Sequence, residues 1–176
     1  MNKWKNIPLD GHVYFITTKV TDYKAIFKEK RYIDIILENL NFYRDKYNYK
    51  LLAYVIMPEH FHLMLYIEKG WQLFKIMEEL KRYTSKQILK QLKNEKKVKL
   101  LSFFKSKASG KEKHKVWEEG FRSLGIYSKR IFDIKMNYIH NNPVKRGLVK
   151  KPEDYLYSSF RNYFLEDDSI IKIDRF

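Results

Sequence analysis

The sequence predicts an α+β domain, an antiparallel sheet with helices packed on one face. Short runs of β-branched and aromatic residues alternate with longer stretches whose apolar residues recur every three or four positions. Two of the short runs are joined by a proline turn too tight for a crossover helix, so they must run antiparallel. No linker-like stretch divides the 176 residues, a length that suits one domain with a substantial core. The domain is expected over 1–165, with a tail over 166–176.

The elements follow in order. GHVYFITTKV (11–20) reads as a strand. KEKRYIDIILENLNFYRDKY (28–47) places Ile33, Ile36, Leu37, Leu40 and Tyr43 on one helical face. KLLAYVIM (50–57) reads as a buried strand and HFHLMLYIEK (60–69) as its hairpin partner across Met57-Pro58-Glu59-His60. LFKIMEELKRYTSKQILKQLKN (73–94) is a second amphipathic helix. Residues 95–115, rich in Lys, Ser and Gly, read as a loop or mobile hairpin. SKRIFDIKMNYIHNN (128–142) is a third helix, with Ser128 as N-cap and Pro143 as its stop. KKPEDYLYSSFRNY (150–163) gives a turn and short helix, and the tail an edge strand or a loose end.

Composition removes several function classes. Without cysteine there is no disulfide, zinc ribbon or thiol nucleophile. No apolar run approaches the ~20 residues of a membrane span. The first residues lack the apolar core of a signal peptide. A cytoplasmic protein, held at the nucleoid by its partner, is the expectation.

That partner is suggested by charge. Lys and Arg number 36 against 21 Asp and Glu, a net +15. Between Lys69 and Lys115, fourteen lysines and one arginine face four glutamates, so most of the excess is local. Such a stretch suits a phosphate backbone, although a lysine-rich solvated surface would look the same. Tyr14, Trp71, Tyr83, Phe103 and Phe104 interleave with the basic residues, as a base-stacking surface requires and as a core also would.

The sharpest local pattern is MPEHFH (57–62). On a strand, His60 and His62 project to the same side, with Phe61, Leu63 and Leu65 on the other. Two imidazoles at that spacing can share a metal ion; they can also be two polar residues at a strand edge. A complete site needs a further ligand. The third helix offers Tyr138 and Asn142 one turn apart, followed by Lys145 and Arg146. A carboxamide oxygen suits a hard cation. A tyrosine hydroxyl becomes a useful nucleophile where a metal polarises the phosphate it attacks. His140, two residues from Tyr138, reads as surface, as does His114. His12, on the first strand, could sit near the site, but a packing or hydrogen-bonding role is the preferred reading.

AYVIMPEHFHLMLYI (53–67) and YIHNNPVKRGLVKKPEDYLYSSFRNY (138–163) together resemble the REP-associated tyrosine transposases, relatives of the single-strand transposases within the HUH endonuclease group. HVYFITTKV, LKRYTSKQI and VWEEGFR (116–122) fall in the expected order, so the resemblance covers most of the chain. It implies a ferredoxin-like or RRM-like antiparallel sheet, with metal ligands on a central strand and the nucleophile on a helix across from it. It implies His60 and His62 as metal ligands, Asn142 as the helix position that helps hold the metal, Tyr138 as catalytic tyrosine and Mg²⁺ or Mn²⁺ as cofactor. The implied partner is single-stranded DNA beside a hairpin, cleaved through a 5′-phosphotyrosine link and rejoined. Lys81, Arg82, Lys105, Lys145 and Arg146 are the candidate DNA contacts. Some relatives assemble each site across a homodimer and others act as monomers; the resemblance leaves both open. One departure is Glu59, where many relatives carry Asn. It could be neutral, hydrogen-bond an imidazole, or bind the ion weakly.

Two rivals remain at this stage. A noncatalytic nucleic-acid-binding domain would be indifferent to Tyr138 and to divalent ions. A metal hydrolase using water would turn over without a covalent adduct.

Overall fold

The computed structural model describes residues 12–69, 72–110 and 112–175. Four strands form one antiparallel sheet: β1 (Val13–Lys19), β2 (Lys50–Ile56), β3 (His60–Tyr66) and β4 (Arg122–Ile126), in the order β2-β3-β1-β4. The helices are α1 (Lys30–Tyr47), α2 (Gln72–Asn94), α3 (Val98–Ser106), α4 (Lys129–Lys145) and α5 (Phe160–Phe164). This is the expected α+β class with an antiparallel sheet, but the helices are not confined to one face: α4 crosses the face opposite α1 and α2. Gly11, Trp71 and the rest of the N-terminal stretch before His12 lie outside the described residues.

The β2–β3 hairpin closes through the expected proline turn, with the Met57 amide donating to the His60 carbonyl at 2.8 Å. β3 pairs with β1 over its whole length, so β3 and β1 are the central strands. Ile16, Phe61, Leu63 and Leu65 share one face of the sheet and are fully buried. The α1–α2 layer covers that face. Trp117 packs on Phe61 and donates its indole N–H to Thr84 of α2, tying the layers together.

Three assignments change. Residues 98–106 form α3 rather than loop, because Phe104 is fully buried while the lysines face water. Arg122–Ile126 forms edge strand β4, which its local composition, with a glycine and two polar residues in five, does not announce. Pro143 does not stop α4, which runs to Lys145. Proline there forgoes one rung, the bond to the Ile139 carbonyl, and the last turn is held by the bonds that follow it. The end is made instead by Gly147 at φ +67°, with the Leu148 amide donating to the Pro143 carbonyl.

The tail neither forms a strand nor hangs loose. Ile171 and Ile173 are buried, and the Asp174 amide donates to the Leu51 carbonyl at 2.8 Å. Ser159 donates its amide to the Tyr54 carbonyl and accepts from the Tyr54 amide through Oγ. These contacts close the outer edge of β2, which would otherwise invite intermolecular pairing. No helix among the described residues is long and apolar enough to cross a membrane.

Candidate active site

The site face of the sheet follows from strand parity. His60 pairs with Lys19 and His62 with Thr17, so these four side chains stand on the face opposite Phe61. Helix α4 lies across this second face. Tyr138 meets His62 edge-on, ring centroids 5.1 Å apart at 73°, and rests against Phe15 at 5.8 Å. Phe15 in turn stacks on His62 at 5.3 Å. One turn further along α4, Asn142 is 5% exposed and lines the same cavity. That cavity, of about 500 Å³, holds His60, His62, Tyr138, Asn142 and Arg146 together. All five belong to one chain.

The two imidazoles are set differently. His62 Nδ1 is 2.8 Å from Thr17 Oγ1, while its Nε2 is buried with no hydrogen-bond partner among the described residues. His60 Nδ1 lies 3.1 Å from Glu59 Oε1, and a carboxylate can only accept, so Nδ1 carries the proton. The rings are 4.8 Å apart, nearly perpendicular. Burial, then the charges of His60 and Lys135, pushes His62 down to about 3. Burial lowers His60 as well. Both are therefore neutral imidazoles near neutral pH, the form that ligates metal.

The residues fit a divalent ion. A buried ring nitrogen without a partner is costly unless something binds it. Among the described residues no three His, Cys, Asp or Glu cluster closely enough to hold a metal. Asn142 would then complete a set of two imidazole nitrogens and one carboxamide oxygen; the nitrogens favour a transition ion, and the carboxamide with water or substrate oxygens accommodates harder ions such as Mn²⁺ and Mg²⁺.

The cavity is cationic. Lys19, Arg122, Lys135 and Arg146 line it, against Glu59 as the one lining carboxylate. The Lys135 ammonium sits 4.7 Å from the Phe15 ring and 5.8 Å from that of Tyr138; Lys145 lies 5.7 Å from Tyr138 on the other side. Such a surface attracts a phosphate. Sequence reasoning missed Phe15, Thr17, Lys19, Arg122 and Lys135. Lys135 was within reach, three residues before Tyr138 and so on its helical face. The others depend on strand pairing.

The remaining candidates lie elsewhere. Lys81 is drawn inward, donating to the Glu118 and Gly120 carbonyls and fastening the loop before β4. Arg82 packs beside Tyr83 on the exposed side of α2, and Lys105 is exposed on α3. Arg146, by contrast, lies in the cavity and donates there to Glu59. Of the stacking candidates, Phe104 is core, Tyr14 faces away from the histidines and Tyr83 is exposed. His12 hydrogen-bonds the Ile67 carbonyl at the far end of β1. His114 is half-buried rather than on the open surface. His140 is not a surface residue: it is 2% exposed, its Nε2 lies 2.9 Å from Ser159 Oγ, and Phe160, Tyr163 and Phe164 surround it.

A family model described as Transposase IS200 like matches residues 11–142, which include His60, His62, Tyr138 and Asn142. The chain belongs to the IS200-like transposase family. Within it, this transposase is 27% identical over 165 residues to a REP-associated tyrosine transposase of Haemophilus influenzae, covering 91% of this chain and 86% of the relative. It is 22% identical over 162 residues to the REP-associated tyrosine transposase of Escherichia coli K12, covering 91% and 83%. A solved REP-associated tyrosine transposase bound to a REP hairpin superimposes with TM-score 0.66 at 19% identity, over 91% of this chain and 83% of that one. That likeness establishes the shared fold.

Proposed function

We propose that this transposase cleaves and rejoins single-stranded DNA beside a hairpin, with Tyr138 as nucleophile and His60, His62 and Asn142 as metal ligands. The reading is carried by one observation: these four side chains line a single cationic cavity in which His62 Nε2 has no hydrogen-bond partner among the described residues.

The chain's own groups have distinct tasks. Thr17 and Glu59 hold the two Nδ1 atoms and direct each Nε2 towards the cavity. Lys19, Arg122 and Lys135 draw the scissile phosphate in, and the Phe15–His62 stack supports the Tyr138 ring. Mg²⁺ or Mn²⁺, held by His60, His62 and Asn142, would supply Lewis-acid polarisation of the phosphate. The Tyr138 hydroxyl attacks phosphorus in line, and its proton passes through solvent to the leaving 3′ oxygen. The bond from phosphorus to the 3′ oxygen breaks, leaving a 5′-phosphotyrosine and a free 3′-OH. The phosphodiester energy is kept for rejoining. The lysine-rich surface from Lys75 to Lys115, with Arg82 and Lys105, would hold the strand and hairpin, and Lys145 and Arg146 the phosphates near the nucleophile; Lys81, turned inward, would fasten the loop before β4 instead.

A denaturing gel tests this. Labelled single-stranded DNA carrying a repeat hairpin is incubated with the protein and Mg²⁺ or Mn²⁺, beside Tyr138→Phe and an EDTA control. The expected result is a slow covalent adduct absent from both controls. Hairpin binding with no adduct would favour the noncatalytic DNA-binding domain, and cleavage with no adduct the water-using hydrolase.

A further inference from the structure

Glu59 is a charged residue with 7% exposure, placed directly beside a candidate metal ligand. Its position is fixed from both sides. The Val20 amide donates to its carbonyl at 2.9 Å, and the Phe27 amide donates to the neighbouring Pro58 carbonyl at 2.9 Å. Its side chain is fixed as well. Oε1 accepts from His60 Nδ1 at 3.1 Å and from Arg146 Nη2 at 2.5 Å. Arg146 closes α4, four residues beyond Asn142, and its amide donates to the Asn142 carbonyl.

A lone buried carboxylate here would be costly and would repel a phosphate. Paired with Arg146, it adds little net charge to the cavity. An oxygen already accepting from two donors is poorly placed to ligate a metal. What it does well is accept a proton from Nδ1.

We propose that Glu59 is a positioning residue for His60, holding the imidazole as its Nδ1–H tautomer with Nε2 turned to the cavity, and that Arg146 holds Glu59 in that pose. The pair thereby links the hairpin that carries the histidines to the helix that carries Tyr138 and Asn142. The functional consequence rests on the reading of His60 as a metal ligand; the tautomer does not.

Two measurements separate them. Long-range ¹H–¹⁵N NMR of the metal-free protein reads the tautomer, and Mn²⁺ titration followed by electron paramagnetic resonance reads affinity. In the wild type, His60 should be the Nδ1–H tautomer. Glu59→Ala should mix the tautomers and weaken Mn²⁺ by roughly 10–100-fold. Glu59→Gln, whose amide oxygen still accepts, should restore the tautomer and most of the affinity. Arg146→Met should weaken Mn²⁺ in the wild-type background and have no further effect beside Glu59→Ala. Circular dichroism confirms that each variant is folded. A Glu59→Ala protein that keeps a single Nδ1–H tautomer, or an Arg146→Met penalty equal in both backgrounds, overturns the proposal. Wild-type protein that keeps the tautomer yet takes up no Mn²⁺ removes the metal reading and upholds the positioning of His60 by Glu59.

Discussion

Tyr138 stands edge-on to His62, with the ring centroids 5.1 Å apart, and keeps 37% of its surface open to solvent. The ring packs against His62 and Phe15, and the hydroxyl is the proposed nucleophile. Tyr138→Phe keeps the ring, so hairpin affinity and melting temperature should stay close to wild type. The covalent adduct should fall below detection. A Tyr138→Phe protein that still forms an adduct would move the nucleophile to another residue, and peptide mapping of the adduct would find it.

Thr17 holds His62 as Glu59 holds His60. Thr17→Val preserves shape and strand preference but leaves the His62 Nδ1 buried without a partner. Stability should fall by about 1–3 kcal/mol. Mn²⁺ affinity should fall by roughly 10–100-fold, and Thr17→Ser should recover most of it. Calorimetric titration of the three proteins decides it. Equal affinities would mean that the His62 orientation is set by Phe15 stacking alone.

These positions show what one sequence carries and what it does not. Period-two spacing puts His60 and His62 side by side, and a four-residue step joins Tyr138 to Asn142; both are local geometry. Thr17 and Arg122 enter the site through β1 pairing with β3 and β4, a long-range relation with no local signature. β4 is a strand because β1 pairs with it, not because RSLGI prefers to be one. α3 was hidden by its lysines, and Pro143 looked like a stop because its closeness to the helix end could not be read. His140 illustrates a different failure. Two residues from Tyr138, it points to the other side of α4, and a helix packed against one sheet face usually leaves that side wet. Here α5 covers it.

Lys135 faces both Phe15 and Tyr138 from within the cavity, and in the proposed mechanism it contacts the phosphate. Lys135→Met keeps the stem and removes the charge. Binding of single-stranded hairpin DNA should weaken, and the slope of log affinity against log salt should drop by roughly 0.7, the value for one contact to a single strand. Lys30→Met, exposed on α1 and outside every proposed contact, should leave adduct formation unchanged while Lys135→Met slows it. An unaltered salt slope for Lys135→Met would show that its ammonium serves the aromatic rings rather than the DNA.

His140 makes stability depend on pH. Burial lowers it from 6.5 to about 3, so the folded protein keeps it neutral. The unfolded chain takes up a proton as pH falls through about 6.5, and the folded one does not until about 3. The contribution is therefore whole above pH 6.5 and is lost progressively as pH falls towards 3. By pH 4.5 the loss should be roughly 2–3 kcal/mol. His140→Gln keeps a polar group for Ser159 Oγ and cannot titrate. Packing among Phe160, Tyr163 and Phe164 will suffer, so its stability at pH 7.5 should be lower than wild type. The quantity to compare is the slope. Denaturant unfolding at pH 7.5 and 4.5 should show wild type losing more than His140→Gln by that amount. Parallel losses would mean that the folded protein admits a proton to His140, which could happen only if the α4–α5 packing opens as pH falls.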